Sequence, residues 1–409
     1  MAKSSILVGL EIGTSKTVMV VGETHPNGSL SIIGVGQVPS AGVRKGEIFD
    51  ESMVRSCVRD AWQLAQDQAE ADIARVFLSV TGEHFIGESH MGSYRLPDNE
   101  NVITREYMQA ARDNALAYRE ELERNGRFVV NEVLGGYSLD GREPTCSPEG
   151  LIGTTLDVNC HYAHGLQSRV QNSLYCVRNV PLDVEDVVFA PIATAQVMLG
   201  PREKRNGALL IDIGGGTTDY VCYMNGELIA SGCIPVGGNT INADIMNELS
   251  GSRTFRAAEE LKCVEGNAFG DRQDESRAQY RDEKGMHESS IARGRLNEII
   301  CARLWDTLGG VKSAIPKEAL LPSNNLQVYL SGGTGLMRGL DELATRMFKK
   351  HVNQPAMPDS EVSPILNDPR YCTAVGLVRY AQRCIESSRE SNPGLFRRIF
   401  NAVFGLSGN

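Results

Sequence analysis

The stretch 208–223, ALLIDIGGGTTDYVCY, decides the fold of this chain, because a second stretch repeats its pattern. Residues 6–21 read ILVGLEIGTSKTVMVV, and Glu11 aligns with Asp212 at an offset of 201 residues. Each copy is an apolar strand that ends near an acidic residue, then a turn of small residues and a second strand. One such turn is weak evidence, but two at matching positions predict a chain built from two similar halves.

The composition of the two turns is typical of phosphate binding. Glycine lets the backbone approach a phosphate closely, and hydroxyl groups add donors without bulk. Lys16 can place a positive charge beside the outer phosphates, while Asp212 and Glu11 can hold a Mg²⁺ ion through its water shell. The residues predicted to bind the phosphates of a nucleotide between the halves are Gly13, Thr14, Ser15, Lys16, Gly214, Gly215, Gly216, Thr217 and Thr218.

A third glycine cluster lies in residues 328–348, VYLSGGTGLMRGLDELATRMF, again between an apolar strand and a helix. Its glycines are predicted to lie against an adenosine and its α-phosphate at the start of the helix. The segment RAAEELKCVEGNAF, residues 256–269, is predicted to contain a short helix whose carboxylate binds the ribose hydroxyls. The alternative is that Glu259 and Lys262 form an ion pair on a helix face exposed to solvent. The residues assigned to this side of the nucleotide are Gly238, Glu259, Lys262, Gly332, Gly333 and Gly335.

The overall composition restricts the class of protein. The formal charge of −10 argues against a general nucleic-acid binder, which needs a basic face for phosphates. The ten cysteines include no CxxC pair and are predicted to be reduced core residues. No stretch sustains the roughly eighteen apolar residues that a spanning helix needs, and the start MAKSSILVGL is typical of a first strand. We therefore expect a cytoplasmic protein with no nucleic-acid partner.

With these motifs in this order, the chain resembles the ATPase superfamily of actin, heat-shock chaperones and sugar kinases. Within that superfamily it is similar to the FtsA family of bacterial cell-division proteins. The segments that carry this closer resemblance are GLEIGTSKT, LSVTGEH, LIDIGGGTTDY, IPVGGNTINADI, AEELKC and YCTAVGLVRYA. The resemblance implies an α/β, actin-like ATPase fold of two duplicated halves with inserted subdomains, named 1A, 1C, 2A and 2B, and a C-terminal amphipathic helix.

The resemblance also implies where the subdomains begin and end. The implied bounds are 1–81 and 164–203 for 1A, 82–163 for 1C, 204–235 and 313–384 for 2A, 236–312 for 2B, 385–393 for a linker and 394–406 for the amphipathic helix. In the family, 1C is an α+β insert that takes part in polymer contacts. The C-terminal tail of the partner FtsZ docks on 2B, so Arg293, Arg295 and Arg303 are candidate contacts, with a solvated face as the alternative.

Hydrolysis in this superfamily depends on a polar side chain that orients water, at the head of the first connecting helix. Relatives carry the pattern E-P-x-A-A-A there, whereas this chain reads FAPIATAQ and has Ala190 in place of the glutamate. Gln196 lies further along the helix, and we expect it to be out of reach. Since alanine cannot position water, we predict binding of ATP and Mg²⁺ with slow or absent hydrolysis, and we assign no catalytic residue.

The tail PGLFRRIFNAVFGL, residues 393–406, carries arginines and no carboxylate at the end of an acidic chain. In a helix its apolar residues would form one broad face, with the arginines opposite. A helix packed on the protein's own core is the alternative, but the polar linker ESSRESNPG before it favours a helix that inserts into a membrane. The predicted membrane contacts are Leu395, Phe396, Arg397, Arg398, Ile399, Phe400, Val403, Phe404 and Leu406.

The resemblance as a whole implies an ATP-binding, actin-like protein that polymerises on the cytoplasmic face of the cell membrane, at the division site. Its expected partners are the FtsZ C-terminal tail, other copies of itself, other division proteins and anionic membrane lipids. It would tether FtsZ filaments and recruit later division proteins. Two alternatives stay open: an adaptor of pilus assembly similar to PilM, and a small-molecule kinase of the same superfamily, for which no catalytic base is evident.

Overall fold

The computed structural model describes residues 5–25, 28–98, 100–249, 254–281, 288–353 and 368–390. The tail, residues 394–406, and the end of the linker before it lie outside the described residues. The amphipathic helix and its membrane contacts therefore stay predictions.

Strands and helices alternate along the chain. The strands are β1 (Ser5–Ile12), β2 (Lys16–Thr24), β3 (Leu30–Pro39), β4 (Val43–Arg44), β5 (Glu47–Ile48), β6 (Arg75–Val80), β7 (Ile86–Arg95), β8 (Arg127–Leu139), β9 (Thr155–Leu166), β10 (Asp183–Phe189), β11 (Ala208–Ile213), β12 (Thr218–Met224), β13 (Glu227–Ile234), β14 (Arg277–Arg281), β15 (Glu288–Ala292), β16 (Gln327–Ser331) and β17 (Val352–Asn353). The α-helices are α1 (Glu51–Ala69), α2 (Arg105–Leu116), α3 (Tyr118–Arg124), α4 (Gln167–Arg178), α5 (Ala190–Met198), α6 (Pro201–Asn206), α7 (Gly238–Glu248), α8 (Phe255–Glu260), α9 (Arg293–Ala314), α10 (Leu340–Phe348) and α11 (Cys372–Glu390).

The two halves predicted from the repeat have the same sheet topology. The first sheet has the order β10-β6-β1-β2-β3, and the second contains the matching series β17-β16-β11-β12-β13. In both sheets the strand before the glycine turn pairs antiparallel with the strand after it and parallel with a later strand. The α/β fold of two duplicated halves is thereby confirmed.

Helices cover the faces of both sheets, so the central strands are apolar along almost their whole length. The helices α5 and α11 pack backbone to backbone: a Cβ added at Gly376 would lie 2.0 Å from the carbonyl oxygen of Ala193. On the other side of the first sheet, Gly36 of β3 makes a similarly close contact with the backbone of Ala61 in α1. Glycine at both positions lets a helix lie directly on its neighbour.

The residues between β6 and α4 form an α+β unit that extends the second sheet. Its strands β7, β9 and β8 join β13 through a single residue pair, Gly232 with Ile86, and so make the second sheet eight-stranded. A separate core lies between these strands and α2, where Gly92 admits the helix backbone at Ala111 and the buried Tyr162 donates to the carbonyl of Ala115 at 2.6 Å.

The helix α11 differs from its predicted assignment. The bounds implied by the resemblance place residues 313–384 in subdomain 2A, yet the buried face of α11 packs against β1, β2 and α5 of the first half. Cys372, Val375 and Val378 belong to that core. Because its apolar face is matched to the first sheet, we correct residues 372–384 to the first half; the other subdomain bounds stay predictions. Among the described helices, none is long and apolar enough to cross a bilayer.

Candidate functional site

The two glycine turns and the third glycine cluster line one cavity of about 450 Å³ between the halves. Both turns close in the same way. The amide of Gly13 donates to the carbonyl of Lys16 at 3.0 Å, and the amide of Gly214 donates to the carbonyl of Thr217 at 2.9 Å. The repeat in the sequence is therefore a repeat in backbone geometry, with one turn on each side of the cavity.

The two turns touch each other. A Cβ added at Gly215 would lie 2.0 Å from Ser15 Oγ, and one added at Gly216 would lie 2.3 Å from Thr14 Oγ1. Any residue larger than glycine would push the halves apart there. The hydroxyls of the first turn thus face the bare backbone of the second.

Asp212 lies on the floor of the cavity, where Thr194 Oγ1 donates to its Oδ2 at 3.0 Å. Burial, together with the nearby carboxylates of Asp219 and Glu11, raises the pKa of this carboxyl to about 7. Burial also raises the pKa of Asp219 to about 6, although Thr81 and Thr217 donate hydrogen bonds to it. Three acidic groups therefore face one another at the base of the two turns.

One lysine balances part of this charge. Lys16 Nζ lies 3.2 Å from Glu11 Oε2 and 5.3 Å from the centre of the Tyr371 ring. In the described part of the chain, no three side chains of His, Cys, Asp or Glu are placed to hold one metal ion. One or two carboxylate ligands suit a cation that keeps most of its water shell, as Mg²⁺ does.

The third glycine cluster reaches the same floor. Gly332 follows β16 with φ +82°, and a Cβ there would lie 2.4 Å from Asp212 Oδ1. Thr334 Oγ1 donates to the carbonyl of Gly214 at 3.2 Å, which ties this cluster to the second turn. The close approach and the left-handed backbone both require glycine at position 332.

Glu259 and Lys262 lie on opposite sides of a change in helix geometry, where α8 passes into a π-helical turn at Leu261–Glu265. Lys262 is buried, and its Nζ donates to Glu259 Oε2 at 2.6 Å and to the carbonyl of Gly238 at 3.4 Å. Burial acts to raise the pKa of Glu259, but Lys262 and the hydrogen bonds from Asn242 and Cys263 together outweigh burial and lower that pKa. The solvated helix face is therefore excluded for Lys262.

Most of the predicted nucleotide residues line the cavity, together with the predicted metal residues. Those that do not line it are Thr218, Gly238 and Gly335. Thr218 turns away and donates to the carbonyl of Val236 at 2.8 Å, while Gly238 meets the cavity only through its contact with Lys262.

Sequence reasoning missed several residues that line the cavity. These are Ser79, Thr81, Asp219, Asn239, Arg338, Arg370 and Thr373. Six of these seven stand in motifs that the sequence analysis quoted. Ser79 and Thr81 belong to LSVTGEH, Asp219 to LIDIGGGTTDY, Asn239 to IPVGGNTINADI, Arg338 to the third glycine cluster and Thr373 to YCTAVGLVRYA. Arg370, directly before the last motif, is the one of the seven that none of them contains.

Ala190 also lines the cavity, at the first residue of α5. Gln196 does not: its Nε2 donates to the carbonyl of Ile192 at 3.1 Å, and its Oε1 accepts from Arg383. The side chain of Gln196 is therefore held outside the cavity by these two hydrogen bonds.

The candidate partner arginines all lie on α9, and each is paired with an acid. Arg293 bonds Glu265, Arg295 bonds Glu248 and Glu298, and Arg303 donates to both oxygens of Asp244 at 2.6 and 3.0 Å. The structure brings these arginines to one helix but leaves none of them without a carboxylate.

Solved structures with a similar fold define the class of protein. The PilM-PilN type IV pilus biogenesis complex matches with a TM-score of 0.60 at 17% identity, covering 92% of this chain and 98% of that one. MreB5 of Spiroplasma citri bound to ADP matches with a TM-score of 0.50 at 15% identity, covering 95% and 99%. The chain has the fold of the actin-like ATPases.

Sequence relatives then give the family. The model of cell division protein FtsA matches residues 209–376. Cell division protein FtsA of Neisseria meningitidis is 31% identical over 382 residues, which cover 91% of this chain and 89% of that protein. The FtsA of Escherichia coli K12 is 30% identical, covering 92% and 90%, and that of Bacillus subtilis is 29% identical, covering 94% and 85%. This chain belongs to the FtsA family of cell-division proteins, as the sequence motifs indicated.

Proposed function

We propose that this protein binds ATP with Mg²⁺, polymerises on the cytoplasmic face of the cell membrane at the division site, and tethers FtsZ filaments there. The observation that carries the proposal is the pair of matching glycine turns that face each other above Asp212 and Glu11. A site built equally from both halves can couple nucleotide binding to their relative position.

The residues of the cavity fit a nucleotide with a divalent cation. The pKa of Asp212 is raised by burial and by the carboxylates of Asp219 and Glu11, and a cation bound beside it would stabilise its ionised form. Asp212 and Glu11 would hold the hydrated ion, the amides of both turns and Lys16 would bind phosphates, and Glu259 with Lys262 would bind the ribose. The bound Mg²⁺–ATP supplies the negative charge that these amides and cations neutralise.

Slow or absent hydrolysis belongs to the same proposal. Ala190 lines the cavity without a polar group, and Gln196 is bonded elsewhere. Nucleotide would then act by favouring one arrangement of the halves, and with it self-association or the binding of a partner.

Membrane attachment is assigned to the tail, residues 394–406. Each large apolar side chain that inserts contributes about 1.5–3 kcal/mol, and each arginine near an anionic leaflet about 1 kcal/mol, before the cost of ordering the tail. One tail gives reversible binding, whereas many tails on one polymer give stable attachment by avidity. Polymerisation and anchoring should therefore strengthen each other.

The tail of FtsZ is proposed to dock on subdomain 2B, with Arg293, Arg295 and Arg303 as candidate contacts. Since each arginine is paired with an acid of this chain, carboxylates of the partner would have to replace Glu265, Glu248, Glu298 or Asp244. Recruitment of later division proteins would follow from the assembled polymer.

Co-sedimentation with liposomes tests the proposal. The full chain with ATP should pellet with vesicles that contain phosphatidylglycerol and should carry FtsZ with it. A truncation after residue 390 should stay in the supernatant while it keeps its affinity for ATP. If the full chain stays in solution and recruits no FtsZ, the adaptor function is wrong.

An adaptor function similar to that of PilM is the second candidate. It is favoured by the TM-score of 0.60 to the PilM-PilN complex, which exceeds the 0.50 to MreB5. The 31% identity to an FtsA along nine-tenths of the chain favours the first candidate, since the PilM match is only 17% identical. Binding of an FtsZ C-terminal peptide, measured against a PilN peptide, separates the two.

A further inference from the structure

A group of cations lies where the C-terminal half of α11 comes beside α5 and α6. We call Lys204, Arg379 and Arg383 the basic cluster. Arg383 is exposed and donates to Gln196 on α5, while Lys204 Nζ lies 4.9 Å from the centre of the Tyr223 ring on β12. Arg379 donates to Gln382 Oε1 at 3.4 Å. The exposed Arg202 and Arg205 flank Lys204 on α6.

The basic cluster lacks acidic partners. Within the described residues, no carboxylate oxygen lies within ion-pair distance of Lys204, Arg379 or Arg383; their contacts are two amide oxygens and one aromatic ring. The arginines of α9 differ, because every one of them bonds a carboxylate. Among the residues that the structure describes, the basic cluster therefore carries its positive charge without an ion pair, in a chain with a formal charge of −10.

The cations also act on one another. Burial, together with the neighbouring Arg383, lowers the pKa of Lys204 to about 8. Burial lowers the pKa of Arg379 as well, again with Arg383 as a second cause, while Glu386 acts in the opposite direction. The fold thus holds three cations close together although they repel one another, and an anion bound between them would reduce that repulsion.

The position of the cluster relates it to the tail. From Arg383, α11 continues for seven residues to Glu390, a rise of about 10 Å, and the four steps from there to residue 394 span at most about 14 Å. The cluster is therefore within roughly 25 Å of the segment assigned to the membrane. A tail lying in the headgroup layer would keep this face of the body beside the same leaflet.

We propose that Lys204, Arg379 and Arg383 form a second membrane contact, on the body of the protein, which binds the phosphates of anionic lipid headgroups while the tail inserts. The inference rests on the proposed membrane attachment and adds a surface to it. Stable attachment of peripheral proteins takes two signals, and an apolar insertion together with a basic surface is one such pair. The second contact would also fix which face of the body points to the membrane.

The test compares full-length variants on two kinds of vesicle. Lys204→Gln together with Arg383→Gln removes two charges, each of which changes binding about fivefold near an anionic surface, so affinity for phosphatidylglycerol vesicles should fall on the order of 25-fold. Affinity for pure phosphatidylcholine vesicles should not change. The matched control is Arg59→Gln with Arg346→Gln, two exposed cations on α1 and α10, which should bind as the unaltered chain does.

Each result has one meaning. Equal binding of the double variant and the unaltered chain to phosphatidylglycerol overturns the second contact but leaves the tail as an anchor. Failure of the unaltered chain to bind either vesicle overturns the proposed function itself. Loss of inorganic phosphate binding in the double variant, with vesicle binding intact, would make the cluster a site for free anions and also overturns the proposal. Arg383→Lys, which keeps the charge, should keep vesicle affinity, and unchanged unfolding of both variants shows that the fold is intact.

Discussion

Gly332 has a left-handed backbone conformation, and its lack of a side chain leaves room for the carboxyl group of Asp212 in the nucleotide cavity. Replacing Gly332 by Ala puts a methyl group 2.4 Å from Asp212 Oδ1, on a backbone with φ +82° that L residues avoid. The left-handed conformation alone costs about 1–2 kcal/mol, and the contact displaces Asp212. We expect a lower free energy of unfolding in urea and at least a tenfold loss of affinity for a fluorescent ATP analogue.

The neighbouring glycine supplies the control. Gly333 has φ −64°, and a Cβ there would meet only Arg370, with its Cγ at 3.7 Å. Gly333→Ala should therefore leave the free energy of unfolding close to that of the unaltered protein, and stability is the property compared, since Gly333 is itself a predicted nucleotide contact. Equal losses in the two variants would show that Gly332 does not hold the position of Asp212.

Ala190 is the second position where one residue matters. Glutamine in its place would put a polar side chain into the cavity at the head of α5, where the resemblance expects a group that orients water. Positioned acid–base groups contribute about 10²–10⁴-fold to rates, so phosphate release should rise by at least an order of magnitude. Ala190→Leu adds similar bulk without polarity and should not raise the rate. An unchanged rate in Ala190→Gln would mean that hydrolysis is limited elsewhere.

Among the elements, β9 joins the α+β insert to the second sheet through a side chain. The backbone pairing between β13 and β7 is one residue pair, but His161 on β9 bonds Ser89 Oγ on β7 at 2.9 Å and Ser231 Oγ on β13 at 2.8 Å. His161 is therefore the polar link across a junction that the backbone hardly holds.

That link should make stability depend on pH. Burial lowers the pKa of His161 to about 4, with a smaller effect from His164, and burial lowers the pKa of His84 to about 4, with Arg127 and Arg169 as further causes. Because the unfolded chain takes up these protons first, the two histidines lower the free energy of unfolding as pH drops from 6.5 toward 4, while the raised pKa values of Asp212 and Asp219 act in the opposite direction. The contribution of His161 is therefore read from a difference: the stability advantage of the unaltered protein over His161→Gln in urea titrations should shrink as pH drops through this range. A difference that does not change with pH would exclude His161 as a source of pH dependence.

The helix α11 shows where element-level prediction failed. Its motif, YCTAVGLVRYA, indicates a helix and the family correctly, but nothing in the local pattern says which sheet its apolar face covers. That choice is set by Gly376, which admits the backbone of α5, and by side chains of β1 and β2 more than 350 residues earlier in the chain. Long-range packing of this kind has no signature within a window of sequence.

For the whole molecule, the sequence predicted the duplication and most of the cavity, because glycine turns carry their geometry in adjacent residues. The sheet order of both halves follows the repeat. What it did not predict are contacts between segments that are far apart in the chain: Thr81 of the first half bonded to Asp219 of the second, and Arg370 beside Gly333. These contacts exist only after distant segments have packed together, so no local spacing encodes them.

The direct contact between the turns gives a test of how the two halves respond to nucleotide. In Ser15→Cys with Gly215→Cys, the Cβ of residue 215 would start 3.2 Å from that of residue 15, so a small movement reaches disulfide geometry. We expect oxidation to link the two residues rapidly without nucleotide, as measured by mass spectrometry of the digested protein. Phosphates bound between the turns would part them and slow this link.

The control for this last prediction is the affinity of the reduced double variant for ATP, since Ser15 is itself a proposed phosphate donor. If the reduced variant binds ATP and the disulfide still forms at the same rate, nucleotide does not separate the turns. Ser15→Cys paired with Gly333→Cys should not crosslink, because the only neighbours near a Cβ at position 333 belong to Arg370. A link that forms between the turns alone, and only without ATP, would make their contact the point at which nucleotide controls the arrangement of the halves.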